Sequence, residues 1–360
     1  MKTSPQSQQG FILVAAIWVM AILVLMVGAF ALWVENSLNT AVSQNQKTQM
    51  ALHNASTKAI LLYITATQSA TPGGITTPAP TSTGGGEVSI SLEEFFANVP
   101  VDDLGAKQVT VSGNELKVDS TVYSGVADTR FSIQDLSGLI PLNSRSPVHS
   151  ESLLAHLDVE PALRSRLSTI LLDYLDIDDG LRPNGAEAFQ YTQGGLAPPA
   201  NAGLLSRQEL VRVLDWQGVE PLWKNDDLLS VTAALQSTHY NVNAVPALVA
   251  QIAFGLSEQD AQLLIEERKE KSYLNINEIV QRTGLNLYPY FDTIRLTPSR
   301  DLRLSFWYPD ARLKREIDVH FLSVTNAGDS PWIISRDIVV PISESEAIVE
   351  PRQPQTDLFR

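Results

Sequence analysis

Cysteine is missing from all 360 residues. That removes disulfide staples, thiolate nucleophiles, zinc ribbons and iron-sulfur ligation together, so any stapling must come from packing or from a hard metal such as calcium. Positive charge is scarce as well: 26 Lys and Arg stand against 40 Asp and Glu, for a formal charge of -14. A field of that sign repels phosphate backbones and anionic lipid surfaces, so the expected partners are proteins or cations and not nucleic acid. The chain also lacks a Gly-x-Ser-x-Gly elbow, a P-loop and a His-Glu-x-x-His pair, and its five histidines are scattered. His149 and His156 could share a helix face two turns apart, where a surface or core role is commoner than ligation. The chain is therefore read as a non-enzyme. With 44% hydrophobic residues it is long enough for one large domain or two ordinary ones.

What the sequence does have begins near its amino terminus. From Phe11 to Val34 there are 24 residues without a charged side chain, roughly 36 Å of helix, enough to cross a hydrocarbon core of about 30 Å with some tilt. The alternative is a buried helix of a soluble domain. Trp33 stands near one end, where an indole favours the membrane interface, and Glu35 ends the run. Lys2 is the one basic residue before the span, which puts the short amino-terminal arm on the cytoplasmic side and Glu35 onward outside. Ala29-Phe30-Ala31 matches the small-x-small pattern of a cleavable signal peptide, although the apolar run exceeds the usual length of such a segment. Cleavage between Gly10 and Phe11 is the third possibility.

A short polar leader ending in Gly10, then Phe11 and an unbroken span, resembles the amino terminus of type IV pilins and pseudopilins. Those subunits usually carry a glutamate at the fifth mature position, and here that place is Ala15. A carboxylate at membrane depth persists only with a partner, so its absence suits a subunit with no neighbour ahead of it. The K-type minor pseudopilins of type II secretion systems share this departure.

Beyond the span, residues 35–70 continue as an amphipathic helix, with Leu38, Val42, Leu52, Ala55, Ala59 and Leu62 at helical multiples. Residues 71–86, rich in Gly, Pro and Thr, read as a linker. Strand signals follow over 87–146: Glu87–Ser91 alternates, 108–112 and 115–119 flank Gly113-Asn114 as a hairpin, and 121–136 is rich in β-branched and aromatic residues. Residues 147–287 read as helices with short connections. In Pro161–Asp176 the residues Leu163, Leu167, Ile170, Leu171, Tyr174 and Leu175 form one apolar face. Ser206 with Glu209, and Ser257 with Asp260, mark helix starts. Strands return over 288–345, at 293–297, 301–308, 316–324 and 332–340, before a tail of 346–360. Sheet, helical block, sheet is the order of a helical domain inserted within a sheet.

One segment offers site chemistry. Asp173, Asp176, Asp178, Asp179 and Glu187 place five carboxylates in fifteen positions, with Gly180 and Gly185 allowing tight turns. Oxygen ligands in a flexible loop suit calcium, without the twelve-residue frame of an EF-hand. Asp176, Asp178, Asp179 and Glu187 are the candidate ligands; the competing reading is a solvated helix end whose aspartates cap backbone groups. Residues 240–284 have the outline of a helix-hairpin-helix pair, but Ser257 stands where a DNA-binding hairpin carries glycine, and the segment has four basic residues against six acidic ones.

Four segments resemble the minor pseudopilin K family. DTRFSIQDLSGLIPLN is similar to its Asp-x-x-Gly stretch, with Pro141 where the family shows Asn. LLDYLDIDDGLRPNGAEAFQY resembles its Asp-Trp-Ile-Asp-x-Asp segment leading to Gly-Ala-Glu, with Tyr174 in place of Trp. LLSRQELVRVLDW and YNVNAVPALV resemble its Ser-x-x-Glu-Leu helix and Asn-Val-Asn helix start, with Ala244 in place of Thr. The resemblance implies an α+β pseudopilin fold: a long transmembrane and amphipathic helix, a small antiparallel sheet and a large inserted helical domain. It further implies removal of residues 1–10 by a prepilin peptidase, methylation at Phe11, and calcium in the helical domain. The implied location is the bacterial inner membrane with the bulk of the chain in the periplasm, and the implied partners are minor pseudopilins I and J with other pseudopilus subunits. A single-span anchored receptor or adhesin, and a helix-hairpin-helix nucleic-acid binder, are the alternatives.

Overall fold

The computed structural model describes residues 9–78, 111–224, 228, 230–322 and 330–360. The expected strand 87–91, residues 108–110 of the expected hairpin and residues 1–8 of the expected leader lie outside the described residues. The chain divides into two compact units, Met1–Ala55 and Ser56–Arg360.

In the first unit every described residue is helical, because nothing from Gln9 to Ala55 interrupts the hydrogen-bond ladder: there is no proline, and the one glycine beyond Gly10 is Gly28. The helix, α1, runs Gln9–Thr67, so its final turns belong to the second unit. Leu13, Trp18, Leu25, Phe30 and Trp33 are all exposed along it. Among the described residues this is the one helix long and apolar enough to cross a membrane.

The second unit is built on a five-stranded antiparallel sheet. Its strands are β3 (Asp119–Ser124), β4 (Arg130–Asp135), β9 (Asp301–Trp307), β10 (Leu313–Phe321) and β11 (Trp332–Pro341), in the spatial order β11-β10-β9-β4-β3. The central pairing joins β4 to β9, with Phe131 opposite Phe306 and Ile133 opposite Leu304. Residues 136–300 lie between these neighbours, so the helical block is an insertion within a single strand pairing. One sheet face buries Phe131, Ile133, Leu304, Ile317 and Val319 against Leu61, Leu62 and Ile64 from the last turns of α1. Alternation along β10 then turns Glu316 and Asp318 to the opposite face.

That opposite face carries a buried charge network. Asp318 accepts from Arg303 Nε at 2.8 Å and from Arg336 Nε at 2.7 Å. Arg336 Nη2 also donates to Glu316 at 2.9 Å, and Arg207 of the helical block lies 3.7 Å from the same carboxylate. Burial opposes ionisation of Asp318, yet the Arg303 charge and the Arg336 and Arg303 hydrogen bonds outweigh it and pull the carboxyl down to about 2. Arg207 is pushed down to about 10, chiefly by its own burial.

The block contains the short strands β5 (Ile140–Pro141), β6 (Thr232–Ala233), β7 (Tyr240–Asn241) and β8 (Ile294–Arg295). Its helices are α2 (Val148–His156), α3 (Pro161–Leu175), α4 (Ala188–Gln193), α5 (Glu220–Lys224), α6 (Ala247–Phe254), α7 (Glu258–Glu270) and α8 (Ile276–Thr283). Leu153, Leu167, Ile170, Tyr191, Trp216 and Leu264 fill a core separate from that of the sheet. Buried polar groups lock block to sheet. Asp135, at the end of β4, accepts from Ser137 N, Asn241 Nδ2 and Ser299 N at 2.9, 2.8 and 3.0 Å. Within the block itself, Asn243 donates to Tyr273 O and Leu296 O, and the buried Arg268 donates to Val242 O and Val245 O.

Several expectations are corrected. Residues 70–75, which straddle the end of the expected helix at 70 and the start of the expected linker at 71, form a tight hairpin of β1 (Ala70–Thr71) and β2 (Gly74–Ile75). Ile75 is buried there and bridges Leu116. Gly74 sits at φ +133° with Leu116 O 2.1 Å from where a Cβ would stand, so only glycine fits. No hairpin forms about Gly113-Asn114 among the described residues. Glu115 folds back instead to accept from Ser112 N and Gly113 N, a local bond that competes with strand pairing. The strand-rich stretch 121–136 holds parts of two antiparallel strands, β3 and β4, turned at Gly125 and Ala127, the latter at φ +53°. The expected strand at 293–297 is the two-residue β8, which pairs in parallel with β7 inside the block and not with the sheet. The tail includes α9 (Glu344–Ile348) and then returns to the free edge of β3, where Arg352 bridges Tyr123 and Phe359 stacks on Phe131.

Candidate metal centre

The acid-rich segment is the turn between α3 and α4. α3 begins cleanly because Glu160 accepts from Leu163 N and Pro161, lacking an N–H, takes the first helical position. Leu167, Ile170, Leu171 and Tyr174 are buried as the spacing predicts, whereas Leu163 is exposed and Leu175 half-buried. Asp173 falls on the buried face with no exposure at all. A carboxylate there must be paired. The chain past α3 supplies the partners by doubling back: Arg182 Nη1 donates to Asp173 Oδ1 at 2.6 Å and Ala186 N to Asp173 Oδ2 at 2.9 Å. The approach depends on Gly185, where an added Cβ would stand 1.9 Å from Asp173 Oδ2.

Arg182 Nη1 also bonds Asp176 Oδ2, at the end of α3. Glu187, just before α4, completes the group, and the ligand atoms of Asp173, Asp176 and Glu187 lie within 4.8 Å of one another. Glu187 is only 6% exposed, and both its carboxylate oxygens, with Asp176 Oδ1, have no hydrogen-bond partner. Burial first, then the charges of Asp173, Asp176, Asp179 and Asp178, push its carboxyl up to about 7.

Of the four candidate ligands, Asp176 and Glu187 are brought together, and Asp178 and Asp179 are not. Asp178 Oδ1 accepts from Gly180 N, and Asp179 Oδ1 from Asn201 Nδ2, each at 2.8 Å and on exposed side chains. Asp173 and Arg182 take part instead. The three-residue step from Asp173 to Asp176, which sets both on one helix face, was the available signal for the first; nothing local marks Arg182. The donor set suits a hard divalent cation. It offers only oxygens, three of them unpartnered, and three carboxylates against one guanidinium leave two negative charges to balance.

The other motif residues are structural. His149 Nδ1 lies 2.7 Å from Tyr240 Oη in the interior, while His156 is exposed, so the two histidines do not converge. Ser257 caps α7 as expected, accepting from Asp260 N at 3.1 Å. Ser206 makes no such cap: Glu209 turns to Leu205 N and Tyr174 Oη, and a 3-10 turn replaces the expected helix. In the helix-hairpin-helix segment all four basic residues are engaged within the chain. Arg268 is buried on carbonyls, and Lys269, Lys271 and Arg282 pair with Glu266, Glu278 and Glu267.

No protein-family model matches the chain, and no curated protein matches it. Among solved structures it is similar to the crystal structure of the GspK-GspI-GspJ complex from the enterotoxigenic Escherichia coli type 2 secretion system. The identity is 14% and the TM-score 0.48, over 83% of this chain and 99% of that chain.

Proposed function

We propose that this chain is a minor pseudopilin of the K type, acting by assembly and not by catalysis. The observation that carries the reading is the helical block inserted between the paired strands β4 and β9, in a chain whose first described element is an uninterrupted helix containing the apolar run Phe11 to Val34. The residues Gly10, Phe11 and Ala15 support the finer reading: a prepilin peptidase removes residues 1–10, and a subunit without the fifth-position carboxylate leads the pseudopilus with nothing ahead of it. In that role α1 anchors the chain in the inner membrane and packs among the helices of minor pseudopilins I and J, while the bulky block rides on the periplasmic side. Burial of apolar helix surface supplies most of the association energy, and the acidic head sets specificity. In the same reading Asp173, Asp176 and Glu187 hold calcium, which would neutralise the crowded carboxylates and tie the end of α3 to the start of α4.

The test is the mass and sequence of the mature terminus in a cell that has a prepilin peptidase. A methylated Phe11 is expected. Leu32 as the terminus would indicate a released protein and an intact Met1 an ordinary anchored one; either result removes the assembly reading.

A further inference from the structure

We propose that the Arg182 guanidinium is a built-in occupant of the cation site, and that a divalent cation binds by displacing it into solvent. The proposal rests on the cation reading of Asp173, Asp176 and Glu187 and adds how that site is filled when the cation is absent. One nitrogen, Nη1, bridges Asp173 Oδ1 and Asp176 Oδ2, two of the three carboxylates whose ligand atoms lie within 4.8 Å of one another. With Arg182 in place, the oxygens without a partner are Asp176 Oδ1 and the pair on Glu187, three in all. Calcium takes about six to eight. Withdrawing the guanidinium frees Asp173 Oδ1 and Asp176 Oδ2 and raises the number to five, which water or loop carbonyls complete. Asp173 Oδ2 stays on Ala186 N throughout and keeps the turn in shape.

The two partners differ in freedom in the way an exchange requires. The Asp173 side chain is 0% exposed and fixed, whereas that of Arg182 is 41% exposed and has open solvent to swing into. A lysine or arginine that merely salts a surface touches one carboxylate, and its loss changes little. Here the guanidinium balances a buried charge whenever the cation is away, so the empty site keeps its geometry. Cation binding must then break two charge-assisted hydrogen bonds, which sets a threshold concentration for loading.

The experiment is a calorimetric titration of the full-length protein in detergent micelles with calcium chloride, on wild type, Arg182→Gln and Glu187→Gln. The same wild-type protein, labelled with nitrogen-15 arginine, is followed by the Nε–H resonance of Arg182. Removing the competitor should tighten calcium binding about tenfold or more in Arg182→Gln. In the wild type the Arg182 resonance, protected without metal, should move to the position of a solvated arginine as calcium saturates. Wild-type binding with that resonance unmoved, or with Arg182→Gln binding equally or more weakly, overturns the exchange while leaving the cation site intact. Should wild type, Arg182→Gln and Glu187→Gln all give no calcium heat, the cation reading falls and this proposal with it. If Arg182→Gln does not fold, the wild-type resonance decides alone.

Discussion

Replacing Asp318 by asparagine should test the buried network beneath the helical block more sharply than any other single change. Its two oxygens accept four hydrogen bonds, from Arg303 Nε and Nη2 at 2.8 and 3.2 Å and from Arg336 Nε and Nη2 at 2.7 and 3.0 Å. The substituted side chain would keep one acceptor and turn an amide N–H₂ toward donors. The two guanidiniums would then share Glu316 alone, inside a site where Arg303 and Arg336 are 5% and 6% exposed. Leaving buried charge uncompensated costs about 3–5 kcal/mol.

The pH dependence gives an independent handle on the same residue. The Asp318 carboxyl lies at about 2 in the fold against 3.8 when unperturbed, a difference that corresponds to about 2 kcal/mol. A depressed carboxylate contributes this stability above the unfolded value and loses it as pH falls toward the folded one, so the window is pH 4 down to 2. Urea unfolding followed by tryptophan fluorescence at pH 7 and at points from pH 4.5 to 2 should show the wild type losing its margin over Asp318→Asn as acid is added. A variant within about 0.5 kcal/mol of wild type at pH 7, or a margin constant down to pH 2, would refute the reasoning.

Glu187 should act with the opposite sign. Its carboxyl is raised from 4.5 to about 7 in the fold, so the metal-free protein should lose up to about 3 kcal/mol as pH rises from 4.5 through 7. Thermal melts in chelator across that range will show it, and both Glu187→Gln and saturating calcium should flatten the slope. Gly185→Ala drives a methyl into Asp173 Oδ2; it should cost about 1–3 kcal/mol and abolish any calcium-induced rise in melting temperature. Phe359→Ala removes a buried ring stacked 5.0 Å from Phe131 and should cost about 3 kcal/mol in urea, whereas Leu358→Ala, on the exposed side of the same turn, should cost far less.

What the amino-acid order determined by itself is whatever depends on neighbours along the chain. The uncharged run from Phe11 to Val34 specifies a long apolar helix wherever it is placed, because backbone bonding within a helix needs no distant partner. Ser257 and Gly255 likewise delimit α6 and α7 by local hydrogen bonding and a left-handed φ of 63°. The acid-rich segment could be located for the same reason, by composition alone. Only the tertiary structure decided which acids meet. Asp178 and Asp179 match Asp176 in chemistry, yet they face solvent, because the turn closes around the buried Asp173 and carries Glu187 and Arg182 to it. It also decided that β4 pairs with β9 across residues 136–300, and that the tail covers the edge of β3. Strand pairing and charge convergence join residues far apart in sequence. The energy that selects them is burial shared between surfaces, which no local periodicity encodes.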